Sequence, residues 1–195
     1  KYLATLDSDL KAYVASTALA AEERRARNDI VKSLAEAVEN FSKNESTITV
    51  AGAAAYGLDS KETDIDVIIV NKGDVNKEDD VASRARVLNL VEKWKPHFAN
   101  IVAKSSNESE TGVTLACTHS RSKMTVNVNI GLGSRSQLAN SRLMQSFASQ
   151  CVFFLPLVRV VKQWAKSRQV IDGTGFANGW TLTLMVAQFL QLYGL

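Results

Sequence analysis

Cysteine and proline are scarce in this chain, two of each in 195 residues. Cys117 and Cys151 stand far apart and neither belongs to a closely spaced pair, which excludes a disulfide framework and a cysteine-built structural zinc site. Such usage points to an intracellular chain, with cytoplasm and mitochondrion both open. Long apolar runs are missing too. The longest candidate, Val152–Val161, is interrupted by Pro156 and Arg159, well short of the ~20 apolar residues that a membrane-spanning helix needs. Hydrophobic residues at 46% and charged ones at 22% lie near the globular average, which excludes disordered, collagen-like and coiled-coil classes. At ~150 residues per domain the length allows one full domain and part of a second. The chain opens at Lys1 without a charged-then-apolar leader and stops at Leu195 inside an apolar helical pattern, so it reads as a piece of a longer protein. Asn44-Glu45-Ser46 and Asn107-Glu108-Ser109 match the glycosylation acceptor, a pattern too short to weigh in an intracellular chain.

A further absence concerns charge. Between Glu110 and Asp172 there is no carboxylate. The net charge is only +3, yet residues 1–100 carry 14 Lys/Arg against 17 Asp/Glu, whereas residues 101–195 carry 9 against 3. A field of that sign suits a phosphate-bearing ligand, as it also suits a plain solvated basic surface.

The hydrophobic periods outline the elements. Ile30, Leu34, Val38 and Phe41 recur at helical spacing within 21–42, opposite a face holding Glu22, Glu23, Arg24 and Arg25. Thr47–Val50 alternates like a short strand and runs into the small-residue turn Gly52-Ala53-Ala54-Ala55-Tyr56-Gly57. Asp64–Val70 reads as a largely buried strand, followed by a polar loop over Asn71–Asp80. A helix holding Val87, Leu88, Leu90, Val91 and Trp94 is stopped by Pro96. Phe98–Ala103, Val113–Cys117 and Met124–Ile130 are three more strands, and Gly131-x-Gly133 a turn. The period then changes from 2 to 3.6, predicting helices near 137–149, 152–168 and 179–193. The order is helix, two strands, helix, three strands, then helices.

The chemistry concentrates in Asp64-Ile65-Asp66. With a side-chain period of two, both carboxylates share one face of the strand. Side by side they repel, unless a divalent cation lies between them. Magnesium, which takes one or two carboxylates plus substrate phosphates, fits that description, and the small residues upstream would let backbone N–H groups approach a triphosphate. The bland alternative is two exposed acids in a turn. Glycosyltransferases also hold a metal on such a pair, but there the hydrophobic strand precedes the acids, and here it follows them. Cys117-x-His119 lacks a second pair and reads as two incidental strand residues rather than a zinc site.

Gly52-Ala53, Gly57 and Asp64-Ile65-Asp66 together resemble the signature of the DNA polymerase β-like nucleotidyltransferases. The downstream half is similar to their terminal uridylyltransferase and noncanonical poly(A) polymerase branch. That similarity rests on Asn129-Ile130-Gly131 through Asn140-Ser141-Arg142-Leu143, on Val161-Lys162-Gln163-Trp164-Ala165-Lys166, and on Gly175 through Met185. Order and spacing agree from about residue 20 to the end. The resemblance implies an α/β (α+β) fold: a palm with a mixed sheet and flanking helices over 21–134, after an N-terminal helical segment, 1–20, and before the start of a helical nucleotide-cleft domain, 135–195.

It implies also that Asp64 and Asp66 hold Mg²⁺ or Mn²⁺, that Gly52 and Ala53 border the triphosphate, and that Asn140 and Ser141 contact the ribose. Lys162 and Lys166 would grip the terminal phosphates; their four-residue spacing puts them on one helical face, where like charges are mildly costly unless an anion bridges them. Trp180 would stack on the base, behind Asn178 and Gly179, or else be ordinary core.

Three positions depart from the family pattern. A serine is replaced by Ala53, a serine pair by Asn178-Gly179, and the third metal-binding aspartate by Asn129. No carboxylate on that strand can substitute, because residues 111–171 contain none. Asparagine offers an oxygen but neither charge nor basicity. The implied activity is NTP-dependent addition of nucleotides to an RNA 3′ end, impaired by Asn129. The alternative is an inactive family member that serves as an RNA-binding or complex-assembly scaffold. The implied partners are RNA, a nucleoside triphosphate and a larger RNA-processing assembly, with no membrane.

Overall fold

The computed structural model describes residues 2–43, 45–61, 63–71, 89–98, 101–109, 112–132, 135–171 and 178–194. The chain divides into two compact units, Leu19–Arg142 and Lys1–Ala18 with Leu143–Leu195.

In the first unit, α2 (Ala21–Phe41) follows the helix α1 (Tyr2–Thr17), which belongs to the other unit, and leads into β1 (Ser46–Ala51), the single-turn α3 (Gly52–Ala55) and β2 (Ile65–Asn71). Residues 89–94 are helical and pass into a 3-10 turn at Lys95–His97, where Pro96 ends the α-helical hydrogen bonding. The strands β3 (Ile101–Ser109), β4 (Gly112–His119) and β5 (Thr125–Leu132) come next. The five strands form one mixed sheet in the order β1-β2-β5-β4-β3, in which only β2 and β5 run parallel.

Alternation decides which face is buried. Ile65, Val67 and Ile69 of β2, Val113, Leu115 and Cys117 of β4, and Val126, Val128 and Ile130 of β5 form one core with Ile30, Leu34, Ala37 and Val38 of α2, joined by Val91 and Trp94. Each fully buried aliphatic side chain there contributes about 1.5–3 kcal/mol. A slip of one residue would exchange the two faces, so this apolar set pins the register. The intervening residues, Asp66, Asn129 and Thr114 among them, are thereby fixed on the opposite face.

Two readings of the sequence need correction. Gly131 is not in a turn: it lies within β5 and pairs with Ile68 of β2, because the parallel ladder continues past it. The strand expected at Phe98–Ala103 starts at Ile101 and runs to Ser109 across polar residues, with an irregularity between Ala103 and Ser106. As an edge strand it draws its hydrogen bonds from β4 alone and needs no second apolar face. The expected loop beyond Asn71 lies outside the described residues.

In the second unit, α4 (Arg135–Gln150), α5 (Phe154–Ser167) and α6 (Gly179–Leu192) follow the sheet, the division between units falling within α4. Phe154, Val158 and Ala165 of α5 and Leu182, Val186, Ala187 and Leu190 of α6 are buried, and the rings of Phe147 and Phe154 lie 5.8 Å apart. Among the described residues no single helix is long and apolar enough to cross a membrane.

Candidate active site

The site grows out of strand register. Asp66 is paired with Ala51 of β1 on one side and Asn129 of β5 on the other, and Asn129 is paired with Thr114 of β4. The side chains form one hydrogen-bonded row. Thr114 Oγ1 donates to Asn129 Oδ1 at 2.8 Å. Asn129 Nδ2 donates to Asp66 Oδ1 at 2.9 Å and to Asp64 Oδ2 at 3.3 Å. Both carboxylates thus converge on one donor. Hydrogen bonds to ionised acceptors are the stronger kind, and here they offset part of the repulsion between two adjacent anions.

The convergence is also a test of fit for a divalent cation. Oxygens of Asp64 and Asp66 lie 3.3 and 2.9 Å from one and the same atom, Asn129 Nδ2, so the two carboxylates face a common point. The third member of the row brings a neutral amide. Among the described residues no group of three or more His, Cys, Asp or Glu is placed to hold a metal ion. Asp64 and Asp66 are the residues here that could hold a divalent cation, with the chemistry of two carboxylates.

The turn beside the acids is equally determined. Gly52 has φ +58°, which an L side chain adopts reluctantly, and a Cβ there would run into Asp66 Oδ2. Its N–H donates to Ser141 Oγ at 3.2 Å, and the buried Ser141 hydroxyl donates in turn to the Gln137 carbonyl at 3.0 Å. Ser141, expected at the ribose, thus anchors the glycine turn in this structure. Asn140 sits half-buried one residue earlier on α4, and the Leu58 N–H closes the turn onto the Ala53 carbonyl at 2.9 Å.

Arg27 secures the approach to Asp64. It is buried on α2, and its Nη2 donates to the carbonyls of Ser60 at 2.8 Å and Thr63 at 2.6 Å. Burial holds its guanidinium below the usual range, opposed by the nearby charges of Asp59, Asp64 and Glu23. Sequence reading passed over Arg27 and Thr114. The signal for the first was present: Arg27 falls in helical phase with Ile30 and Leu34, an arginine on the apolar stripe.

The remaining expected residues lie in the second unit. Lys162 of α5 is half-buried, with Cε and Nζ both 3.5 Å from where a Cβ on Gly179 would stand; Lys166 is exposed on the same helix. Asn178 caps α6, its Oδ1 accepting from Thr181 N at 2.8 Å and Thr181 Oγ1 at 3.0 Å. Trp180 is half-buried.

Cys117 and His119 are occupied with the fold. Burial pushes the Cys117 thiol up to about 12, against a smaller opposite effect of Lys95. His119 is buried with Nδ1 2.9 Å from Ser122 Oγ and Nε2 3.4 Å from Asp29 Oδ2.

No known family profile and no curated protein matches the chain. Solved structures do. The structure of the GLD-2/RNP-8 complex superposes with a TM-score of 0.79 at 22% identity, over 96% of this chain and 56% of that one. A cytoplasmic RNA terminal U-transferase gives 0.72 at 18%, over 94% and 52%. The polymerase core of TRAMP, an RNA surveillance complex, gives 0.69 at 18%, over 94% and 54%. The chain spans about half the length of these proteins. Its fold is the one these structures share.

Proposed function

We propose that this chain is the core of an RNA 3′-terminal nucleotidyltransferase, uridylyl- or adenylyl-transferring, that binds an NTP with Mg²⁺ or Mn²⁺ and is impaired in transfer. The observation that carries this reading is the convergence of Asp64 and Asp66 on one point, with an amide rather than a carboxylate as the third member. Asp64 and Asp66 would hold the cation, which when bound would supply positive charge against the triphosphate and the departing pyrophosphate. Gly52 and Ala53 leave the backbone open to phosphate oxygens. Transfer joins the RNA 3′-oxygen to the α-phosphorus, breaks the bond to the β-phosphate oxygen and releases pyrophosphate. The proton of the 3′-hydroxyl must go to an acceptor, and the neutral, non-basic Asn129 amide takes none. The same reading assigns Lys162 and Lys166 to the terminal phosphates, Asn140 to the ribose, and Trp180 with Asn178 and Gly179 to the base.

Calorimetric titration of each NTP, with Mg²⁺ and with EDTA, tests it. Metal-dependent binding of at least one NTP is expected, lost in Asp66→Ala. Absence of such binding for every NTP overturns the reading. A second reading, a non-catalytic scaffold for RNA or an RNA-processing assembly, is favoured by the neutral amide of Asn129; it predicts RNA binding without extension.

A further inference from the structure

We propose that the cleft between the N-terminal half of α2 and the turn after β4 is a second ligand site, which takes a ribonucleotide unit by its phosphate and its 2′-hydroxyl, either free or within single-stranded RNA.

The strand period sets this cleft apart from the acid row. His119 lies an even number of residues from Val113, Leu115 and Cys117, and so on the side of the sheet that α2 covers, whereas Thr114 lies on the other. At ~3.3 Å per residue, roughly 16 Å of strand also separate Thr114 from His119. The cleft measures about 280 Å³, at the lower end of the ~300–1,000 Å³ usual for small-molecule sites. Glu22, Arg25 and Asp29 come from α2, and His119, Arg121 and Ser122 from the end of β4 and the turn behind it. All six belong to the sheet unit.

One side of the cleft is fixed by the fold. His119 is buried, and its Nδ1 accepts from the Ser122 N–H at 3.2 Å. With Nδ1 an acceptor, the neutral ring carries its proton on Nε2, which lies 3.4 Å from Asp29 Oδ2. The carboxylate is thereby oriented from the sheet, and its side chain, 56% exposed, keeps acceptor capacity toward the cleft. The cationic groups arrive from two elements. Arg25 and Arg121 are exposed, and among the described residues neither has an ion pair or a side-chain hydrogen bond. Two planar donor forks on one cleft suit phosphate oxygens. The two arginines are matched in number by Glu22 and Asp29, so a bare polyanion gains no net field here. A ligand with an anion at one end and a neutral donor at the other satisfies both sets. A ribonucleotide is such a ligand: its phosphate accepts from the arginines, and its 2′-hydroxyl donates to Asp29. A deoxyribonucleotide lacks the second contact.

Chemical shifts of the isotope-labelled chain in EDTA test this, with uridine 5′-monophosphate, its 2′-deoxy analogue and uridine as probes. EDTA removes metal-dependent binding at Asp64 and Asp66, and the signals read are the His119 ring and the Arg121 and Ser122 amides on the far face. The outcome is therefore independent of the proposed transferase site. The monophosphate should move these signals saturably, the deoxy analogue several-fold more weakly, and uridine not at all. Arg25→Gln with Arg121→Gln should weaken binding by about tenfold or more, the worth of a charge-assisted hydrogen bond, while melting stays at the parent temperature. Asp29→Asn should bring the ribose and deoxyribose forms together. A single-stranded RNA that moves the same signals at lower concentration, with a salt slope smaller by about 0.7 in the arginine variant, assigns the unit to a chain. RNA that leaves them unmoved while the monophosphate shifts them assigns it to free nucleotide. Uridine binding as tightly as its monophosphate, equal binding of the ribose and deoxyribose forms by the parent chain, undiminished binding in the arginine variant, or no shift with any probe overturns the proposal.

Discussion

Gly52 and Asp66 stand so close that a single methyl group on the first would occupy the space of the carboxylate of the second. The glycine is therefore fixed twice, by a φ of +58° and by the carboxylate behind it. Gly52→Ala is expected to cost roughly 2 kcal/mol or more, since left-handed backbone alone costs an L residue about 1–2 kcal/mol. It should also push Asp66 away from Asn129. Urea unfolding and Mg²⁺ titration would register both effects, and a variant with parental stability and metal binding would refute the contact.

Arg27→Met should destabilise the sheet unit while keeping its apolar bulk. The two carbonyls of Ser60 and Thr63 lose a charged donor, a loss of about 1.5–3 kcal/mol by the usual worth of such bonds. Because Thr63 directly precedes Asp64, metal-dependent nucleotide binding should weaken as well. Arg27→Lys should recover only part of both, since an ammonium lacks the guanidinium's planar fork. Unchanged denaturation midpoints would show that the latch is dispensable.

These two residues mark where the sequence was legible and where it was not. Apolar alternation in β2, β4 and β5 and the helical stripe of α2 were readable, because burial imposes the periods that the eye finds. The pairing of Asp64 with Asp66 followed from the strand period alone. The bond from Asn129 to both acids did not, since it depends on which strand lies beside β2 and in what register. Thr114 was invisible for the same reason, reaching Asn129 only through the β4–β5 ladder. Gly52 was legible as a small residue near phosphate, but its closeness to Asp66 needed the sheet. Ser141 read as a ribose contact, whereas its observed partner is the Gly52 N–H, supplied from a distant part of the chain.

Cys117 gives a pH signature. Its thiol is pushed by burial from its ordinary value of 9.0 up to about 12, so the folded chain keeps it protonated where the unfolded chain ionises. Its contribution to stability is full below pH 9 and is lost as the pH rises toward 12. Stability should fall across that window, and Cys117→Ala should flatten the fall while lowering stability at neutral pH. At pH 8.5, iodoacetamide should modify the half-buried Cys151 and leave Cys117 intact until the protein unfolds. Alkylation of Cys117 in the folded chain would contradict this.

Position 129 separates the enzymatic reading from the scaffold reading. In Asn129→Asp the new carboxylate stands on the strand beside Asp66, where register already places its side chain. It supplies the charge and the basicity that the amide lacks. If the chain is a transferase limited at this one position, primer extension should rise by orders of magnitude. Several kcal/mol of transition-state stabilisation are at stake in a metal-coordinating group, and each ~1.36 kcal/mol is tenfold in rate. If Ala53 and the Asn178-Gly179 pair belong to a wider loss of the transferase pattern, the same change should leave extension at background while Mg²⁺ binding tightens. Extension by the parent chain at the rate of its aspartate variant would mean that the third ligand lies elsewhere, and that the hydrogen-bonded row from Thr114 to Asp66 is not the reacting centre.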